Sequence, residues 1–185
     1  MSEPSRKLNL NWVLPSLAVG GRFPIEAAEH LAEKLGIRHV VDVRVEECDD
    51  EQVLREHGIT LLHLPTEDMR AIRRDMIDDG VAWVTKLLGQ GHKVYIHCEH
   101  GVGRSALLAL CCMVAQGHPP LEALSLAKQQ RWQVSPSPEQ LHTFLAWAEG
   151  WRQRHGLTWT MPTFNELSAV AYSHLKNPPP AGTDD

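Results

Sequence analysis

Three short runs rich in β-branched and other apolar residues, 39–44 (HVVDVR), 59–64 (ITLLHL) and 93–97 (KVYIH), are separated by segments whose apolar residues recur at helical spacing. This alternation is the feature that most constrains the fold. Parallel neighbours need a long crossover, which a helix supplies, so the pattern predicts an α/β domain with a central, mostly parallel sheet flanked by helices. In such sheets ligands gather at the carboxyl ends of the strands. The residues directly after Leu64 and His97 are therefore where chemistry is expected.

The remaining elements fit around that core. Residues 8–13 and 17–19 read as two short strands broken at Pro15, and strand 59–64 is expected to stop at Pro65. Helices are predicted from Pro24 to Leu35 and over 49–57, 76–88, 105–116, 121–130, 139–151 and 164–175. A chain of 185 residues suits one domain, taken here as 8–175, followed by a loose Pro-rich tail at 176–185. The formal net charge of −5 argues against a nucleic-acid or membrane-surface partner. Residues 1–12 carry no apolar run of the kind a secretory leader needs, and the apolar stretch 106–115 is about half of what spans a bilayer. With four cysteines that include the vicinal pair Cys111-Cys112, the chain reads as a reduced, cytoplasmic monomer.

The segment His97-Cys98-Glu99-His100-Gly101-Val102-Gly103-Arg104-Ser105 follows one of these strands and opens an apolar helix. A turn there aims consecutive N–H groups inward, and the helix N-terminus adds partial positive charge, which makes a nest for a tetrahedral anion. Glycines at 101 and 103 let the backbone curl, and Arg104 offers a planar fork of donors to two phosphoryl oxygens. The same field favours the thiolate of a cysteine such as Cys98, with Ser105 placed to donate to its sulfur and His97 behind it ordering the loop. The leaving oxygen needs a proton, and Thr66-Glu67-Asp68 ends the preceding parallel strand on the same sheet edge. Asp68 is the expected general acid, with Glu67 as its competitor.

The order His97-Cys98, five residues, Arg104, Ser105 resembles the signature of the cysteine-dependent protein phosphatases, specifically their small dual-specificity-like branch. Segments 17–20 (LAVG), 41–44 (VDVR) and 64–68 (LPTED) are similar to that family's early strands and general-acid loop, and Arg131 with 138–145 to its Arg-containing turn and final helix. The resemblance implies a protein tyrosine phosphatase-like fold and a nucleophilic Cys98 that forms a phosphocysteine. It makes Arg104 and the amides of Glu99, His100, Gly101, Val102, Gly103 and Arg104 the phosphate cradle. Asp68 becomes acid and then base, and Gln140 a supporting residue that positions water. No metal or cofactor is implied, and the partner is a phosphorylated protein or peptide, with phosphotyrosine first and phosphoserine or phosphothreonine also accepted.

Other readings compete. A phosphoinositide or an RNA 5′-triphosphate is the alternative substrate, the latter because Cys98 to Gly101 reads Cys-x-His-Gly; a non-catalytic phosphate-binding module and a sulfur-transfer enzyme are the other two. The acidic Glu99 at the mouth disfavours a polyanionic lipid head, whereas Arg70, Arg73 and Arg74 beside the acid would favour acidic phosphopeptides. A zinc site on His97, Cys98 and His100 lacks a fourth ligand. Cys111 and Cys112 read as core, Cys48 as a loop residue or else the partner of Cys98 in a protective disulfide, and Asp75, Asp78 and Asp79 as charges complementing a helix dipole. Trp147, Trp151 and Trp159 are expected to pack the C-terminal helices.

Overall fold

The predicted strands come together as one five-stranded sheet in a computed structural model that describes residues 7–182. The strands are β1 (Leu10–Leu14), β2 (Leu17–Gly20), β3 (Ile37–Arg44), β4 (Thr60–Thr66) and β5 (Lys93–His97), in the spatial order β1-β2-β5-β3-β4. Only β1 runs antiparallel to its neighbour; β2, β5, β3 and β4 pair in parallel. β5 lies at the centre, and its last four residues are buried, as a strand covered on both faces requires. Its carboxyl end delivers His97 beside Gly20 of β2 and Asp42 of β3.

Two apolar layers sandwich the sheet. Successive residues of a strand point to opposite faces. Ala18, Val40 and Tyr95 accordingly pack with α1 (Ala28–Glu33) and α2 (Glu51–Glu56), while Leu17, Val19, Val41, Val94 and Ile96 meet the larger helical layer. That layer holds α3 (Arg74–Gly89), α4 (Arg104–Ala115), α5 (Pro120–Gln130), α6 (Pro138–Arg154) and α7 (Phe164–Ala171). α4 is buried at eleven of its twelve positions, including Cys111 and Cys112, whose thiols burial pushes well up. Among the described residues no helix is long and apolar enough to cross a membrane.

Three expectations need correction. β4 does not stop at Pro65 but runs through it to Thr66; as an edge strand it tolerates a residue without an N–H, and its pairing with β3 shifts register there, from Asp42 opposite His63 to Arg44 opposite Thr66. The helix expected from Pro24 starts as a 3-10 turn at Ile25–Ala27. The last helix ends at Ala171 and is followed by a separate 3-10 turn at Ser173–Leu175. Of the tail, residues 183–185 lie outside the described residues.

Trp147 is fully buried in the helical layer, stacked on Trp151 at 5.1 Å and donating its indole N–H to Asp78 at 3.0 Å. Trp151 and Trp159 pack against the same core, as anticipated. Trp147→Ala is expected to cost about 3–5 kcal/mol, read as a lower urea midpoint in equilibrium unfolding.

Candidate active site

The loop between β5 and α4 is shaped by what holds its carbonyl oxygens. Six consecutive carbonyls, those of residues 98 to 103, each meet a donor. Cys98 O lies 3.2 Å from His97 Nδ1, and Glu99 O accepts from the Arg22 amide at 3.1 Å. His100 O accepts from Arg131 Nη2 at 2.9 Å and Asn9 Nδ2 at 3.4 Å, and Gly101 O from Arg131 Nε at 2.8 Å. Val102 O accepts from the Ser135 amide and Gly103 O from the Leu107 amide. In a trans peptide the N–H lies opposite the preceding C=O, and the described chain has no cis bond. The amides of residues 99 to 104 therefore turn away from those donors and toward the loop's interior. α4 starts on Gly103 without a side-chain cap, so its first N–H groups open into the same space.

Two glycines make the fold of this turn possible. Gly101 has φ +71°, and a Cβ there would lie 2.3 Å from the Gly20 carbonyl carbon. A Cβ on Gly20 would lie 1.9 Å from Asn9 O.

Cys98 sits at the base of the turn, 3% exposed. Its Sγ accepts from the Gly101 amide at 3.3 Å and lies 3.2 Å from Ser105 Oγ. Arg104 is 1% exposed, and its guanidinium is held from one end: Nη1 and Nη2 each donate to a carboxylate oxygen of Glu46 at 2.7 Å, and Nη1 also donates to Thr66 O at 2.8 Å. Nε is buried and has no protein partner among the described residues. Glu46 thus takes the guanidinium end-on, and the Nε edge remains as the second two-donor side of a planar fork.

Behind the turn lies a charged cluster. Asp42, Arg44 and His97 are buried, and Asp49 nearly so. Arg44 donates to both oxygens of Asp42 at 3.0 Å, to Asp49 at 3.2 Å and to Glu99 at 3.1 Å; His97 Nε2 lies 2.6 Å from Asp49 Oδ2. Burial works against the Arg44 charge, yet its carboxylate neighbours raise the pKa overall. Glu99 thus shares Arg44 with Asp42 and Asp49, and it also pairs with the exposed Arg22 at 3.2 Å. Among the described residues the groups near enough to hold a metal ion are Asp42 and Asp49 with His97, or Asp42 with Cys48 and His63, and Arg44 bonds both aspartates.

Asp68 reaches the site from the loop after β4. Its Oδ1 lies 3.6 Å from Arg104 Nη2 and accepts from the Met69 amide at 2.9 Å, and its side chain is 65% exposed. Glu67 is also exposed, and among the described residues its side chain has no bond to the site. Gln140 is buried against the turn, where a Cβ on Gly103 would lie 2.6 Å from its Oε1. That oxygen accepts from the Ser137 amide and its Nε2 donates to Arg70 O. Arg70, Arg73 and Arg74 each face a carboxylate, of Glu139, Asp75 and Asp78 respectively, in solvent-exposed pairs. Cys48 is an exposed free thiol.

The sequence reading brought together Cys98, Arg104, Ser105, His97 and Asp68, and it missed Glu46, Asp42, Asp49 and the Asn9 and Asn11 partners of Arg131. Hydrogen bonding from Arg104 outweighs burial and lowers the Glu46 pKa from 4.5 to about 2. A depressed carboxyl pKa stabilises the fold above the unfolded value, and that contribution is lost as pH falls toward the folded value. The melting temperature of Glu46→Gln is accordingly expected below that of the unmodified protein at neutral pH, with the gap closing between pH 4.5 and about 2.

Comparison with known proteins gives the family and the fold. The family "Dual specificity phosphatase, catalytic domain" matches residues 24–150. Mouse laforin is 39% identical over 61 residues, covering 32% of this chain and 18% of laforin. The human phosphatidylglycerophosphatase and protein-tyrosine phosphatase 1 is 28% identical over 130 residues, covering 65% of this chain and 64% of the relative. The crystal structure of PTPMT1 in complex with PI(5)P superposes with a TM-score of 0.74 at 19% identity, over 80% of this chain and 99% of that one. The chain therefore spans less than two thirds of these curated relatives and nearly all of the solved domain. With the family match covering about two thirds of its length, the chain belongs to the dual specificity phosphatase catalytic-domain family.

Proposed function

We propose that the protein is a phosphatase that hydrolyses phosphotyrosine, and also phosphoserine and phosphothreonine, in proteins through a phosphocysteine intermediate. The observation that carries this reading is the turn at 98–103, whose carbonyls face donors outside it while the Gly101 amide meets the buried Cys98 Sγ, beside an Arg104 Nε without a protein partner among the described residues. That arrangement offers a phosphoryl group several N–H donors, a guanidinium edge and a nucleophile within one turn.

In the first step Cys98 Sγ attacks phosphorus, the S–P bond forms and the P–O bond to the side chain breaks. Asp68 gives its proton to the departing oxygen. In the second step Asp68 takes a proton from water, whose oxygen attacks phosphorus and releases the thiolate; the hydroxyl of Ser105, 3.2 Å from the sulfur, stabilises it. These residues complete both displacements with no metal or cofactor. His97 supports the loop from behind through Cys98 O and Asp49. Gln140, with both ends of its amide engaged, is a supporting contact between the turn and the acid loop.

A lipid phosphate is the second reading, because the human relative is named for both phosphatidylglycerophosphatase and protein-tyrosine phosphatase activity. The net charge of −5 and the exposed carboxylates of Glu67 and Asp68 at the mouth favour a peptide over an anionic lipid surface.

Two variants test the proposal. Cys98→Ser should abolish hydrolysis of phosphotyrosine peptides while still binding them; full turnover in that variant would end the proposal. Asp68→Ala should lower kcat/KM by roughly 10²-fold or more for phosphotyrosine and far less for an aryl phosphate with a strongly acidic leaving group. Parallel assays on phosphothreonine peptides and on phosphoinositide or phosphatidylglycerophosphate vesicles assign the substrate class, and faster turnover of the vesicles would overturn the protein reading.

A further inference from the structure

The acid loop is tied to the first turn of α6 at three successive residues. Ser137 Oγ donates to Met69 O at 2.8 Å, Gln140 Nε2 donates to Arg70 O at 2.9 Å, and the Ala71 amide donates to Glu139 Oε2 at 2.9 Å. Arg70 Nε lies 3.4 Å from that same carboxylate oxygen, and Ile72 then plugs the loop into the core. Met69, next to Asp68, has φ +65°, and it is the one non-glycine residue with positive φ among the described residues. A left-handed conformation at a residue other than glycine persists only where its surroundings hold it. Here Met69 is held from both sides, its N–H by Asp68 Oδ1 and its C=O by Ser137. Nothing in the proposed mechanism uses Ser137 or Glu139, yet both are spent on the acid loop.

We propose that Ser137, Glu139 and Gln140 are positioning residues, a clamp by which the N-terminus of α6 presets the Asp68 carboxyl beside Arg104 before substrate arrives. This rests on the reading of Asp68 as the proton donor. Gln140 extends the clamp to the phosphate turn, since it packs against Gly103 while bonding Arg70 O. The consequence is a division of labour: the carbonyl-held turn binds the phosphoryl group, and the clamp on α6 governs only delivery of the proton. A loop held in this way also keeps the carboxyl at one height above the sulfur, so the clamp sets which leaving oxygens it can reach.

The test compares kcat/KM for a phosphotyrosine peptide and for an aryl phosphate with a strongly acidic leaving group, which needs little protonation. Glu139→Ala removes the acceptor for Ala71, and Glu139→Gln keeps an acceptor oxygen there. Ser137→Asp keeps an N-cap acceptor for α6 but has no proton to give to Met69 O at neutral pH. Glu139→Ala and Ser137→Asp should each lower kcat/KM for the peptide by roughly tenfold and for the acidic aryl phosphate by less than about twofold, the selectivity expected of lost general-acid catalysis. Inhibition by tungstate should be unchanged, Glu139→Gln should restore most of the loss, and neither variant should add to the loss in an Asp68→Ala background. Equal losses on both substrates, weaker tungstate inhibition, or losses additive with Asp68→Ala would overturn the clamp. If Asp68→Ala shows leaving-group selectivity and the clamp variants do not, the clamp alone falls. If Asp68→Ala shows none, the acid assignment falls and the clamp with it.

Discussion

The outward anchoring of six consecutive carbonyls, from Cys98 to Gly103, is the constraint on which the rest of the site depends. Backbone polar groups inside a protein must find partners. Here the carbonyls are satisfied from outside the turn by Arg22, Asn9, Arg131, Ser135, Leu107 and the His97 ring. Because the peptides are planar and trans, satisfying the oxygens aims the N–H groups the other way. An anion site is thus built without placing a single lysine at the bottom of the pocket. That is how a chain of net charge −5 can be shaped for phosphate.

Arg131 shows how far this anchoring reaches. Its guanidinium, 2% exposed, spends Nε on Gly101 O, Nη1 on Asn11, and Nη2 on Asn9 and His100 O. It joins the end of α5 to the first strand and to the turn, so residues separated by more than a hundred positions meet at one planar group. On the other flank Arg44 does the corresponding work for Asp42, Asp49 and Glu99. Both arginines serve as frame. Arg104 keeps a buried Nε without a protein partner among the described residues, and Glu46 keeps its fork at a fixed angle.

Much of this was legible in the order of residues. The alternation of strands and helices fixed the class, and residues 97–105 declared the turn because their chemistry is local: glycine, cysteine and arginine at short offsets need no distant partner to be meaningful. Asp68 was chosen by topology, since the parallel strands of one sheet end on one edge, even though β3 lies between β4 and β5. What stayed hidden was long-range. Nothing in the text of residues 42–49 says that Glu46 closes on an arginine 58 positions later or that Asp49 backs His97. Pro65 misled because the tolerance of an edge strand depends on sheet order, which spacing does not reveal. The ion pairs of Glu99 with Arg22 and with the Arg44 that Asp42 and Asp49 share were equally hidden in the order of residues.

The measurement that bears most directly on the central claim is an amide NMR titration of the Cys98→Ser protein with inorganic phosphate. The account predicts saturable shifts of the backbone N–H signals of Glu99, His100, Val102, Gly103 and Arg104 together with the Arg104 Nε–H, all with one affinity. Phosphate that leaves these signals in place, or that moves only surface arginine signals such as those of Arg70 and Arg73, would contradict it.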